Sequence, residues 1–213
     1  MEKENESGQK SAAKELKRFE KVKDNRNQNW WSHMQEAYSY AAPQRETFFE
    51  YSPGQKKNTE LFDDTAVLGL ETFASRLQAY MVPPWQKWAK VELDSQVPES
   101  MLEEPLEGGF NGEDMTIGEA LQATTDIAFD YIHRSNFDSK IFEAFMDLGI
   151  STGNISEEFD ADADKLSFNA IAMPSIYLEK GPDGSIENHW REHEVENDQI
   201  ERMWPKAVIN EQL

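Results

Sequence analysis

His189 and His193 stand four apart, with Glu192, Glu194 and Glu196 beside them. On a helix, that spacing puts two imidazoles on one face and suits zinc. Residues 185–193 read instead as a strand, where positions four apart share a face but lie too far apart to hold one ion without a partner strand. The order is His-Trp-Arg-Glu-His and not His-Glu-x-x-His. Solvated strand polarity is therefore preferred over a metalloenzyme, which would require stoichiometric metal. Asp160, Asp162 and Asp164 occupy the odd positions of a calcium loop. Such a loop needs Gly at its sixth position and Glu at its twelfth, and Lys165 and Ile171 stand there. An acidic turn between strands is the better reading.

Gly149-Ile-Ser-Thr-Gly153 lacks the Gly-Lys-Ser/Thr ending of a phosphate loop, and a tight helix-to-strand turn explains it. No Ser-His-Asp arrangement stands out. Asp and Glu number 41, so no acid–base pair can be singled out. No catalytic, cofactor or metal residue is assigned, and an enzyme is not expected. The remaining chemistry is aromatic. Trp30-Trp31 and Trp85/Trp88 suit base stacking in principle. The acidic charge of the body of the chain opposes that, so core or subunit-contact anchors are expected.

The elements that carry these residues follow from periodicity. Residues 1–10 are polar and read as a flexible N-terminus. Ala12, Leu16, Phe19, Trp30, Met34, Ala37 and Ala41 recur at helical spacing, giving a helix over 11–42 that breaks or is solvated across the polar residues 21–29. Pro43 ends it. A second helix spans 58–82. Asn58 or Thr59 caps it, Asp63 and Asp64 lie in an early turn, and Pro83-Pro84 stops it. Alternation from Trp85 to Leu93 predicts a strand, so that 11–93 forms one helical region ending in a Pro-Pro-Trp corner. Residues 94–115 form an acidic Gly/Pro loop. Thr116 caps a helix over 116–134 with Glu119 at the box position, and another helix covers 138–149. Short strands follow from 155 to 195, with a hairpin around Gly181-Pro-Asp-Gly184 and a helix start at 197–204. The fold class is α+β, with helices around a small antiparallel sheet.

Composition sets the outer limits. The 213 residues hold 21 Lys+Arg against 41 Asp+Glu, a net charge of −20. Residues 1–31 are mildly basic, so the acidity lies in the body of the chain. A duplex-DNA reader needs a basic patch, and this charge argues against one. No apolar run approaches bilayer length, and the first residues lack a signal peptide's apolar stretch. Cys is absent, which excludes disulfides and thiolate chemistry and fits either a reducing cytoplasm or an assembled particle.

Several ordered segments carry a family likeness. They are Tyr38-Ser-Tyr-Ala-Ala-Pro43-Gln-Arg-Glu, Asp63-Asp64-Thr65-Ala66, and Ala74-Ser-Arg76-Leu-Gln-Ala-Tyr-Met-Val-Pro83-Pro84-Trp85-Gln-Lys-Trp88. Phe145-Met-Asp-Leu-Gly149-Ile-Ser-Thr-Gly153-Asn, Phe168 to Tyr177, and Gly184-Ser-Ile-Glu-Asn-His-Trp-Arg191 continue the series. Together, over roughly residues 30–206, they resemble the head-to-tail connecting (portal) proteins of short-tailed bacteriophages. Portal chains are much longer, so the resemblance implies an N-terminal portion or an unusually short relative.

That resemblance implies a wing-like structural subunit of a dodecameric ring in the virion, at one capsid vertex, assembled in the host cytoplasm. Its implied partners are other copies of itself, the terminase, scaffold or coat proteins, a tail adaptor, and DNA that passes without being read. No cofactor and no membrane are implied. Pro83, Pro84, Trp85, Trp88, Trp30, Trp31 and Arg76 are the structural or subunit-contact candidates. The rival reading is a monomeric acidic binding or scaffold module that recognises a basic partner. Self-association separates the two.

Overall fold

The structure is a computed structural model of the 213-residue chain, and it describes residues 2–45, 63–94, 96–106, 108, 114–192, 195 and 199–200. Among these, five helices and three two-stranded antiparallel sheets make an α+β fold. The chain divides into two compact units, residues 1–32 with 174–213 and residues 33–173.

The first unit joins the two ends of the chain. Helix α1 (Glu2–Asn29) begins well before residue 11, where apolar spacing alone starts it. Glu, Lys and Gln are good helix formers even without an apolar stripe. The helix also runs through the polar residues 21–29, and the break falls at Trp30, before α2 (Trp31–Ala41). The single helix over 11–42 is therefore two. The other half of this unit is the expected hairpin, formed by two strands that the sequence order makes the last pair, Ile176–Lys180 and Ile186–Arg191. Its turn needs glycine at Gly184, where φ is +90°. Phe19 of α1 meets Tyr177 of the hairpin edge-on at 5.0 Å. Arg18 pairs with Glu179 at 2.7 Å.

The second unit starts within α2. Helix α3 (Thr65–Met81) begins later than residue 58, and Asp63 and Asp64 precede it instead of lying in its first turn. The N-cap position is Asp64, without a side-chain cap bond, and Asp63 Oδ1 before it accepts from the Thr65 backbone N–H at 2.8 Å. Asn58 and Thr59, the expected caps, lie outside the described residues. The strand expected over 85–93 does not form. Residues 87–94 run without a ladder partner, and the Val91 N–H instead donates to Thr125 Oγ1 at 3.0 Å. Alternating residues suit any extended segment laid on helices, and a partner strand is needed to make one a sheet.

The 94–115 loop holds more structure than its composition implies. It contains a 3-10 helix (Glu99–Glu103) and half of a small ladder, β1 (Pro105–Leu106) with β2 (Met115–Thr116). Helix α4 (Ile117–Arg134) then starts on the Thr116/Glu119 capping box, as expected. Helix α5 (Phe137–Ile150) and the hairpin of β3 (Ile155–Asp160) and β4 (Lys165–Ala170) follow. Strands β5 (Ile176–Lys180) and β6 (Ile186–Arg191) are the hairpin of the first unit. Instead of one small sheet there are three separate ladders. Buried Leu70, Ala74, Phe129, Phe137, Ala144 and Phe145 form the core among α3, α4 and α5. Each buried Phe contributes roughly 2 kcal/mol. Of the helix start expected at 197–204, residues 199–200 are helical and the others, apart from these two, lie outside the described residues.

Candidate functional site

Tyr38, near the end of α2, and Arg45, just past Pro43, converge on one carboxylate. Asp147 of α5 has no exposed surface. Its Oδ1 accepts from the Tyr38 hydroxyl at 3.1 Å and from Arg45 Nε at 3.2 Å, and its Oδ2 pairs with Arg45 Nη2. Arg45 Nη1 reaches Glu143 at 2.7 Å, and Lys140 reaches the same carboxylate. A two-pronged guanidinium is the donor that a buried carboxylate requires. Burial pushes the Tyr38 phenol up, reinforced by the Asp147 charge. Burial works against the charge of Arg45, and its bonds to Asp147 and Glu143 outweigh this and raise its pKa. The cluster is a tie between chain segments.

The Pro-Pro-Trp segment forms a second assembly. Pro83 is buried, and the Gln86 N–H donates to its carbonyl at 3.3 Å, closing a turn. Trp88 stacks on Phe137 (5.8 Å, 20°) and meets Phe129 edge-on at 5.3 Å. Phe137 in turn meets Phe168 at 5.0 Å. Asn136 fixes this end of α5, donating to the Phe168 carbonyl at 2.8 Å and accepting from its N–H at 2.7 Å. Thr125 and Lys87 hold the segment that follows, the latter by an ion pair with Asp126 at 2.5 Å. Trp85 points away from this packing and is 74% exposed. Thus the corner contains Pro83, Pro84 and Trp88, with Trp85 on the surface. Arg76 is exposed on α3, and no ion pair to it occurs among the described residues.

In the first unit the centre is Arg26, buried despite its polar sequence surroundings. Nη1 donates to the carbonyls of Pro174 (2.8 Å) and Ile176 (2.9 Å). The guanidinium lies 3.8 Å from the Tyr177 ring centre and 5.1 Å from that of Trp31. Burial lowers the Arg26 pKa. The Tyr177 phenol is pushed up to about 12 by burial and by its bond to Glu192. Lys23 holds Glu192 low. Trp31 is therefore a packed partner of Arg26, whereas Trp30 is exposed.

The sequence candidates for catalysis are occupied otherwise. Asp160 Oδ1 accepts from the Asp162 and Ala163 N–H groups, and Asp164 accepts from Tyr131. These acids build the β3–β4 turn. His189 lies on β6, opposite Leu178, and His193 is outside the described residues. Gly149 and Gly153 make close helix contacts: a Cβ on Gly149 would stand 2.5 Å from Leu70 Cδ1, and one on Gly153 2.5 Å from the Ala144 carbonyl oxygen. Among the described residues, no group of three or more His, Cys, Asp or Glu side chains is arranged to hold a metal. No described helix is long and apolar enough to cross a membrane.

Asp147, Arg26, Thr125 and Asn136 are structural hubs not singled out by sequence reasoning. Asp147 had a weak signal, one of two acids with Glu143 in the otherwise apolar run from Ile141 to Leu148. Arg26 had none, because it lies among charged neighbours.

No curated protein matches the chain at a significant level. Residues 12–213 match the family of the bacteriophage head to tail connecting protein. The match contains Tyr38, Arg45 and Asp147, the Pro-Pro-Trp corner and both larger hairpins. With nearly the whole chain covered, the protein belongs to the bacteriophage head to tail connecting protein family, a structural family of the virion.

Proposed function

We propose that the chain is a subunit of a closed ring, a dodecamer at one capsid vertex, through which DNA is packaged and later ejected. The terminase, scaffold or coat proteins and a tail adaptor dock on that ring, which assembles in the host cytoplasm. The observation that carries this reading is the family match over residues 12–213. The net charge of −20 supports the conduit role, since DNA sliding past an acidic wall forms few salt contacts to slow it. Pro83, Pro84 and Trp88 serve as a rigid corner, and Trp85, Trp30 and Arg76 are available for contacts between subunits.

The test is particle mass by light scattering after gel filtration, with negative-stain images of the main peak. Closed rings with a central hole are expected. A monomer at every concentration overturns the ring and favours an acidic module that binds a basic partner.

A further inference from the structure

Helix α3 has two unlike sides. Leu70 and Ala74 are buried, and Gly149 of α5 comes close to Leu70 and to one edge of Phe73. The other side is a stripe. Gly69, Thr72, Phe73, Arg76, Leu77 and Tyr80, spaced three and four apart, line one open groove. Tyr80 is 85% exposed and Phe73 42%. Leu68, Met81 and Trp85 extend the exposed apolar surface at both ends.

Gly69 is the telling residue. A glycine inside a helix costs about 1 kcal/mol relative to alanine. At Gly149 and Gly153 a close neighbour explains the missing side chain. At Gly69 a Cβ would meet no described atom within 4 Å. An approaching helix or loop from outside gives that glycine a purpose, because it lets two backbones come close.

Charge selects what approaches. A second copy carries the same −20, so two copies repel except where a contact surface is locally neutral. Helix α3 holds only Glu71 and Arg76, which cancel. Helices α4 and α5 are each net negative, as is β3. A basic partner would be drawn to those acidic surfaces and not to a stripe whose one charge is the Arg76 cation. Arg76 is suited to the carboxylates that an acidic neighbour presents.

We propose that the α3 stripe is the surface on which the next copy of this chain seats, with Gly69 admitting its backbone, Phe73 and Tyr80 supplying the apolar contact, and Arg76 pairing with one of its carboxylates. This rests on the ring reading, and deepens it by naming the face.

The test uses the whole chain. Gly69→Leu puts bulk where no described atom stands within 4 Å of the added Cβ, and its thermal unfolding should stay within a few degrees of the parent. Tyr80→Glu adds charge at an exposed site. Each is expected to raise the monomer fraction at least tenfold at the concentration where the parent forms rings. Because the chain has no Cys, Tyr80→Cys labelled with a benzophenone maleimide reports contacts from that position alone. Interchain products on illumination support the proposal. Parent-like rings from both substituted chains, or only intrachain products from the label, overturn it while the ring stands. A parent chain that is monomeric throughout overturns the ring reading and this inference together.

Discussion

The Tyr38 hydroxyl donates a 3.1 Å hydrogen bond to Asp147, which lies 109 residues away and has no exposed surface. Arg45, seven positions after Tyr38, closes on the same carboxylate. Two family-like segments, the Tyr-to-Arg run after α2 and the Phe145 to Gly153 run, are thereby joined through one buried charge. Removing one member of such a pair leaves the other uncompensated, which typically costs 3–5 kcal/mol. Arg45 keeps some solvent access, so Asp147→Asn and Arg45→Ala should each cost about 3 kcal/mol. Arg45→Met and Asp147→Leu combined in one chain should lose less than the sum of those two single changes. Urea midpoints at constant m-value check this, and additive losses would contradict a coupled pair.

Three helix-associated glycines should respond differently to one added methyl group. Gly69→Ala should stabilise the isolated chain by about 1 kcal/mol, because the helix gains and no described atom lies within 4 Å of the added methyl. At Gly149 the same gain opposes overpacking of about 1–3 kcal/mol against Leu70, so the net effect is a small loss. Gly153→Ala pushes on the fixed Ala144 carbonyl and should be the most harmful. The order of thermal midpoints tests the series. Equal shifts at all three positions would refute it.

Alkaline pH should loosen the first unit. The buried Tyr177 phenol has its folded pKa raised to about 12, against 10.0 for the free side chain. Its contribution is therefore complete below pH 10 and disappears as pH rises from 10 toward 12. About two pKa units correspond to something on the order of 2 kcal/mol. Unfolding midpoints from pH 8 to 12 should show this limb, and Tyr177→Phe should flatten it. An unchanged limb in Tyr177→Phe would assign it to other groups.

Thr125 Oγ1 accepts from the Val91 N–H and donates to the Leu121 carbonyl at 2.9 Å. Thr125→Val keeps the shape and leaves that N–H without its acceptor, at a cost of about 1–3 kcal/mol. Limited proteolysis should then cut within 87–94 faster than in the parent. Unchanged cleavage would show that Trp88 and the Lys87–Asp126 pair anchor the segment without Thr125.

What was legible was local. The capping box at Thr116, the helix pair after it and the two larger hairpins depend on neighbours in sequence, and these took the expected form. Alternation of residue types over 87–94 suits any extended segment, while a strand requires a ladder partner, and here the Val91 N–H goes to Thr125 instead. The site was less legible still. Arg26 looks solvated among Lys and Asn, and its buried state comes from carbonyls about 150 residues away. Asp147 shares the run from Ile141 to Leu148 with a second acid, Glu143, and nothing local identified Tyr38 and Arg45 as its partners.

The first unit is built from both ends of the chain, and that has a consequence during synthesis. Arg26 emerges from the ribosome early, but the Ile176 carbonyl it binds follows 150 residues later. At typical translation speeds that is a wait on the order of ten seconds. Residues 33–173 are contiguous and can close their own core during that interval, while α1 remains without its hairpin. Helix α1 is then completed only when the hairpin of residues 176–191 arrives. Truncated nascent chains stalled before residue 176 should therefore protect the second unit from protease and leave α1 open.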